Sequence, residues 1–203
     1  MNGNISFKNL DTGYTQCTEL NNLLKDNGNV LLIDLKDIIN KLKIHWVGND
    51  AMIHINNLIR LYGYLAVFIN SNLEASYNAA NDVIRVQTIR HMNGGTGEIG
   101  TNLVPNIEYA RIPYVESTDK YYVEPAAESD LTSLRTFKDN YNEYYKLVCS
   151  KVEELFQNWL SGANRSSSEN QFYELAREAE RCNGYLSNAI SNLDIACKNI
   201  ASV

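Results

Sequence analysis

Apolar residues in the first half of the chain recur with the spacing of two long helices. After Asn49 the steps alternate between three and four residues, which places the apolar side chains on one helical face. This face comprises Met52, Ile55, Ile59, Tyr62, Ala66, Ile69, Leu73, Tyr77, Ala80 and Ile84. A preceding face with heptad-like steps comprises Leu20, Leu24, Leu31, Leu35, Ile38 and Leu42. We expect a kink or break in this first helix at 26–29, because Asp-Asn-Gly-Asn is unfavourable in a helix interior. The stronger part of that helix should run from Asn29 to Ile44.

The last third of the chain repeats this arrangement. One apolar face comprises Leu134, Phe137, Tyr141, Tyr144, Val148, Val152, Leu155 and Trp159. A second comprises Phe172, Leu175, Ala179, Cys182, Leu186, Ala189, Leu193, Cys197 and Ile200. The stretch between them has the Gly, Asn and Ser content of a turn. Ser166 and Glu169 have the spacing of a capping box, which predicts that the last helix begins after Ser166.

Residues 91–129 interrupt the helical pattern. Glycines are concentrated in 94–100, and Pro105, Pro113 and Pro125 follow. Glycine and proline are both costly inside a helix. Because the residues around Ile107–Arg111 and at Tyr121–Val123 alternate in polarity, short strands are compatible with this stretch. We predict a long irregular linker that can carry a short β-hairpin.

Both tryptophans of the chain lie where one predicted helix gives way to the next. Trp46 is followed by Val-Gly48, and Trp159 by Leu-Ser-Gly162. Glycine adopts positive φ at a chain reversal without strain, and a large indole can cover the open end of a helical hairpin. We therefore assign these four residues a structural role in two turns.

These patterns together predict an all-α protein. Two antiparallel helical hairpins would form an elongated four-helix bundle, with the irregular linker between them. Residues 1–90 would form the first hairpin, 91–129 the linker and 130–203 the second hairpin. Covalent linkage would raise the effective concentration of one hairpin for the other, so the pair should persist at any dilution.

Charge and composition narrow the range of partners. The formal net charge is −6 and no basic stripe is visible, which argues against nucleic acid. The N-terminus has no apolar stretch behind a basic start, so we expect no cleaved signal peptide. No uninterrupted apolar passage is long enough to span a bilayer. We expect a protein that stays in the cytoplasm or is exported without a cleaved signal peptide.

No set of residues predicts catalysis, a metal or a cofactor. His45, His54 and His91 lack the clustered spacing of metal ligands, which favours structural or surface roles. The glycines at 94–97 lack the Gly-Lys-Ser/Thr ending of a phosphate-binding loop, which favours a flexible connector.

The four cysteines also lack C-x-x-C spacing. Cys149, Cys182 and Cys197 lie on apolar helical faces, where free cysteine behaves as a small buried hydrophobe. A disulfide between Cys149 and Cys182 is the alternative if the second hairpin folds as predicted.

The chain contains thirteen tyrosines, and those in the linker have no helical face to explain them. These are Tyr109, Tyr114, Tyr121 and Tyr122. Tyrosine has an apolar ring and a polar hydroxyl, which suits sites that are partly apolar and partly exposed to solvent. We therefore regard these four as candidate interface residues. For Tyr141, Tyr144 and Tyr145, core filling and interface roles both remain open. Asparagine is also abundant and adds hydrogen-bonding capacity without charge.

Trp46-Val-Gly48 between two long helices resembles the WXG superfamily, whose members include the early secreted antigen proteins exported by type VII secretion. That family folds as an antiparallel helical hairpin with Trp-x-Gly at the bend, and two hairpins pair into a four-helix bundle. Residues 15–88 are similar to one such unit, and residues 131–201 to a second, degenerate one. The kinship requires each corner to fold the chain back between helices; a corner inside a continuous helix or a β-sheet would count against the kinship and the export proposal together.

The resemblance implies a non-enzymatic protein associated with type VII secretion in Gram-positive bacteria. It would be a secreted substrate, or an adaptor or chaperone that binds a larger effector through helical surfaces. Its partner would be the secretion machinery or a co-secreted effector, with the chain itself a monomer or homodimer. No tyrosine here is followed by Asp or Glu four residues later, as in the family's export signal, so the signal would lie on a partner or have diverged.

Two alternatives remain. One is a cytoplasmic or phage-associated structural bundle unrelated to secretion. The other is an enzyme with a site in the Gly- and Tyr-containing linker, where the sequence assembles no nucleophile and base.

Overall fold

Four long helices form most of the computed structural model, which describes residues 5–90 and 103–200. In chain order they are α1 (Leu10–His45), α2 (Asn49–Arg90), α3 (Ala127–Asn158) and α4 (Arg165–Ile200). The short strands are β1 (Ser6–Phe7), β2 (Trp46–Val47), β3 (Tyr122–Val123) and β4 (Trp159–Ser161). The predicted all-α class and the four-helix bundle are confirmed.

The chain divides into two compact units, each of which takes a segment from all four helices. The Trp159 unit comprises Met1–Asn29, Val67–Glu108 and Tyr144–Ala176. The Trp46 unit comprises Val30–Ala66, Tyr109–Glu143 and Arg177–Val203. The boundaries 1–90, 91–129 and 130–203 follow chain order, whereas the units follow spatial packing, so those boundaries stay a prediction.

The predicted apolar faces, together with neighbouring residues such as Leu58 and Phe68, supply the core of each unit. In the Trp159 unit the largest fully buried side chains include Leu20, Leu24, Phe68, Trp159 and Phe172. In the Trp46 unit they include Leu35, Leu42, Ile55, Leu58 and Tyr141. Full burial of one large apolar side chain stabilises a fold by about 1.5–3 kcal/mol, so these faces are the main source of stability.

Helix α2 is the most apolar of the four. Over Asn49–Gln87 it is long and apolar enough to cross a membrane by length and composition, and 50% of its most apolar window is buried within the protein. The core helix of a water-soluble protein passes the same test. The expectation that no segment spans a bilayer therefore stays a prediction.

Helix α1 continues through 26–29, so the predicted break is wrong. The reason lies at Gly28, which is buried. A Cβ placed there would lie 2.7 Å from Oη of Tyr144 and 2.9 Å from Cδ1 of Ile69. Glycine is present because α2 and α3 approach the α1 backbone closely here, and the packing outweighs its low helix propensity.

The helix boundaries also differ at the start of α4. This helix begins at Arg165, so Ser166 lies inside the first turn and the predicted capping box is wrong. The carboxylate of Glu169 forms an ion pair with the Arg165 guanidinium instead. The same guanidinium donates hydrogen bonds to the carbonyls of Phe156 and Trp159, which ties the turn to the end of α3.

The strands pair reciprocally between the two hairpins. The strand expected near Tyr121–Val123 forms as β3, but its partner is β2 rather than a second strand of the linker. Strand β1, which the sequence did not predict, pairs antiparallel with β4. The strand that precedes each hairpin therefore pairs with the tryptophan corner of the other hairpin. Within the described part of the linker there is no β-hairpin.

Replacing Gly28 by alanine should destabilise the protein by about 1–3 kcal/mol, the usual cost of overpacking a core. Gly63, in α2, is the matched control because a Cβ there meets nothing within 4 Å. Gly63→Ala should be neutral or stabilise the helix by up to about 1 kcal/mol. Urea unfolding followed by circular dichroism measures both. Equal effects of the two substitutions would contradict the packing explanation.

Candidate functional site

The Trp46 corner reverses the chain between α1 and α2, and the indole of Trp46 is almost fully buried. Gly48 has φ of 142°, a conformation that a side chain would strain. Its carbonyl accepts the Met52 N–H at 2.9 Å, which starts α2. A Cβ on Gly48 would lie 2.8 Å from the ring of Tyr121, so glycine also leaves room for the linker chain.

Two histidines flank this corner. The His54 ring stacks on Trp46 with centroids 5.7 Å apart. Burial lowers the pKa of His54, and Asp50 partly opposes this effect; Nδ1 of His54 has no hydrogen-bond partner among the described residues. His45 Nδ1 lies 2.7 Å from Oδ2 of Asp130, a buried carboxylate in the first turn of α3. Both histidines therefore support the corner, as their isolation in the sequence indicated.

The Trp159 corner buries its indole as well. Trp159 is fully buried, and its indole N–H donates to Oδ2 of Asp82 at 3.1 Å. Phe7 and Phe156 stack on the indole with centroids 6.3 and 6.0 Å away. Burial raises the pKa of Asp82, whereas the Trp159 hydrogen bond and Arg85 act in the opposite direction. The single polar group of the indole is thus satisfied inside an aromatic stack.

Gly162 plays a different role from the one predicted. Among the described glycines only Gly48 has positive φ, so the expectation of positive φ at Gly162 is wrong. A Cβ on Gly162 would lie 2.0 Å from Oδ2 of Asp82 and 2.8 Å from Nε1 of Trp159. Glycine is needed here because the Asp82–Trp159 hydrogen bond occupies the space of a side chain.

The same kind of backbone hydrogen bond occurs at each of the two corners. The Glu124 N–H, directly after β3, donates to the His45 carbonyl at 2.8 Å. The Lys8 N–H, directly after β1, donates to the Asn158 carbonyl at 2.9 Å. In each case the residue directly after the strand that precedes one hairpin donates a hydrogen bond to the residue directly before the tryptophan of the other hairpin. Each corner does fold the chain back between helices, but each also belongs to a two-stranded sheet. Such pairing lies outside a simple helical hairpin and counts against the family resemblance.

An asparagine side chain reinforces the Trp159 corner. Nδ2 of Asn158 donates to the Asn9 carbonyl, and the Asn9 N–H donates to Oδ1 of Asn158, both at 2.9 Å. One side-chain amide therefore pairs with both polar groups of one backbone residue. Asn9 in turn accepts the Thr12 N–H and caps α1.

The same pairing holds the linker in the Trp159 unit. We call the irregular residues 103–121 the strap. Asn21 donates to the Val104 carbonyl at 2.8 Å and accepts the Val104 N–H at 3.0 Å. Asn70 does the same for Ile107, at 3.1 and 2.8 Å. Asn21 is fully buried, and its second amide hydrogen is donated to Ser76 Oγ.

The Trp46 unit contains a third asparagine that holds the strap in this way. Asn56 donates to the Val115 carbonyl at 3.0 Å and accepts its N–H at 2.8 Å. Lys43 Nζ donates to the carbonyl of Pro113 at 2.8 Å. Burial lowers the pKa of Lys43. In this unit too, side chains of the helices hold the strap through hydrogen bonds to its backbone groups.

The candidate interface tyrosines lie on or next to the strap. Tyr109, Tyr114, Tyr121 and Tyr122 are 40%, 59%, 68% and 43% exposed. The ring of Tyr109 contacts that of Tyr62 edge-on, with centroids 6.2 Å apart. On the third helix, by contrast, Tyr141 and Tyr144 are buried, which assigns those two to the core. An interface role for the four exposed tyrosines stays a prediction.

The described residues offer little for covalent chemistry. Cys17, Cys182 and Cys197 are free thiols, so the alternative disulfide between Cys149 and Cys182 is not formed. Burial raises the pKa of Cys17 to about 12 and that of Cys182 to about 11, which keeps both thiols protonated. No group of three His, Cys, Asp or Glu suited to a metal occurs in residues 5–90 and 103–200. The glycines at 94–97 and His91 lie outside the described residues.

Comparison with known proteins finds no matching family model, no matching curated protein and no matching solved structure.

Replacing Asp82 by asparagine should make the protein more stable at neutral pH. The fold raises the pKa of this carboxyl, so its ionised form opposes folding above that pKa. Asparagine can still accept the Trp159 N–H but carries no charge. The advantage of the variant should shrink as the pH falls and disappear below about pH 4, the usual carboxyl pKa.

Urea unfolding at pH 7 and pH 4 tests this, with the exposed Asp34→Asn on α1 as a control of equal charge change. A destabilised Asp82→Asn at pH 7, or a stability difference independent of pH, would contradict the assignment.

Proposed function

We propose that this chain is a non-enzymatic protein-binding module associated with type VII-like secretion, as a secreted substrate or as an adaptor for a larger effector. One observation carries the proposal. Trp46 and Trp159 are each buried at a reversal between long packed helices, as the resemblance to WXG proteins requires of two paired hairpins.

The linkage between the hairpins supports the idea that this chain replaces a dimer. In WXG proteins the bundle is formed by two separate hairpins. Here the strand before one hairpin closes the corner of the other, so the two hairpins are complementary parts of one fold. Their covalent fusion keeps the pair together whatever the protein concentration.

The exposed aromatic side chains support binding through protein surfaces. Tyr114 and Tyr121 are more than half exposed on a segment without regular structure. Tyrosine contributes a large contact area at low conformational cost and is enriched in protein interfaces. The partner would be a protein of the secretion machinery or a co-secreted effector.

A structural bundle unrelated to secretion is the second candidate, and one observation favours it. Both corners carry antiparallel strand pairing, which a simple helical hairpin lacks. A cytoplasmic or phage-associated scaffold that shares only the hairpin geometry would need no export route.

Deleting the ATPase of the secretion system in the native host should abolish release of this protein into the medium. Quantitative immunoblotting of medium and cells measures release, with a cytoplasmic enzyme as the lysis control. We expect accumulation in the cells of the deletion strain. Equal release by both strains, or no release by either, would refute the secretion proposal and favour the structural bundle.

Replacing Tyr114 and Tyr121 together by alanine should reduce co-purification of the native partner at least tenfold while the helical content stays unchanged. Their exposure predicts little effect on folding. Tyr173→Ala, at a 49% exposed site on α4, is the matched control. Affinity purification from the native host with quantitative mass spectrometry compares the variants. Equal partner recovery from all three proteins would remove the strap tyrosines from the interface.

A further inference from the structure

Three asparagines bind the strap in one way. Asn21 and Asn70 in the Trp159 unit, and Asn56 in the Trp46 unit, each pair with the N–H and the carbonyl of a single strap residue. A carboxamide carries a donor and an acceptor side by side, as an extended backbone residue does. This recognition makes no use of the side chain of the residue that is bound.

Side-chain burial contributes little to holding the strap. None of residues 103–121 is buried, and Val104, Ile107 and Val115 are only half-buried. Segments with few buried apolar contacts open at low free-energy cost compared with core helices. The surface under the strap is therefore occupied by a segment that is held by hydrogen bonds more than by side-chain burial.

We propose that these asparagine surfaces, one in each unit, are binding sites for an extended polypeptide segment of a partner protein. The strap of this chain occupies them as an internal ligand. This inference rests on the proposed protein-binding role, but not on secretion. The recognised chemistry is an extended backbone with free N–H groups, largely independent of sequence.

Hydrogen exchange tests whether the asparagines hold the strap. In Asn70→Ala the Ile107 N–H should exchange at least tenfold faster than in wild type, and in Asn56→Ala the same should hold for the Val115 N–H. The exposed Asn40→Ala on α1 should change neither rate. Unchanged exchange at both strap amides would overturn the proposal at its first step.

Binding of an added peptide tests the site itself. The double substitution Ile107→Pro/Val115→Pro removes the two strap N–H groups that donate to Asn70 and Asn56, and the strap should leave both asparagines. We call this variant the vacated chain. The control, Glu108→Pro with Glu116→Pro, introduces as many prolines at exposed neighbours whose N–H groups have no partner in the described structure. The probe is a fluorescent synthetic peptide of residues 103–118, measured by anisotropy, and circular dichroism verifies the helices of each variant.

We expect the probe to bind the Ile107→Pro/Val115→Pro chain at least tenfold more tightly than the control chain. Adding Asn56→Ala and Asn70→Ala should abolish that gain. A peptide of scrambled sequence should compete within about threefold, whereas the peptide N-methylated at positions 107 and 115 should not compete. Competition on wild-type protein at high probe concentration gives the same comparison if the proline variant misfolds.

Three results would overturn the proposal: no tighter binding by the vacated chain, binding that persists without the asparagines, or loss of competition on scrambling. Exchange of straps between two copies, seen as dimers of the vacated chain by light scattering with no peptide uptake, would replace the partner segment by a second copy. None of these outcomes depends on export, so this proposal and the secretion proposal can fail separately.

Discussion

The closure of each tryptophan corner by the strand that precedes the other hairpin is the interaction on which this fold depends. A hairpin of two long helices exposes apolar residues at its turn, and a buried indole needs neighbours on all sides. Phe7 supplies one of these neighbours to Trp159, and Val123 lies opposite Trp46 in the second sheet. Since each hairpin lacks a piece that the other carries, neither corner is complete without both halves of the chain.

The periodicity of apolar residues was sufficient to predict the helices, because a face of ten apolar positions is a strong long-range signal. It failed where packing overrides local preference. Gly28 lowers the helix propensity of α1, yet the helix continues through it because close packing against Tyr144 outweighs that local preference. Gly162 does lie in a turn, but glycine is required there to leave room for Asp82 rather than for a positive φ. The corner strands could not be predicted, because two or three residues carry no recognisable period.

The composition already showed that asparagine is abundant, but it did not show which groups the asparagine side chains contact. Asn21, Asn56 and Asn70 lie within helical segments where asparagine is a mediocre helix former. Their partners are backbone groups 83, 59 and 37 residues away, which no local pattern reveals. A buried amide left without partners would be costly, so Asn21 in particular commits the fold to a polar contact at that position.

The pairing of β1 with β4 also has a consequence for biosynthesis. Phe7 leaves the ribosome 152 positions before Trp159, an interval of roughly 8–30 s at about 5–20 residues per second. During that interval strand β1 has no native partner, whereas β2 and β3 can already pair. The β2–β3 pair at the Trp46 corner can thus form before the β1–β4 pair, which has to wait until Trp159–Ser161 have been synthesised.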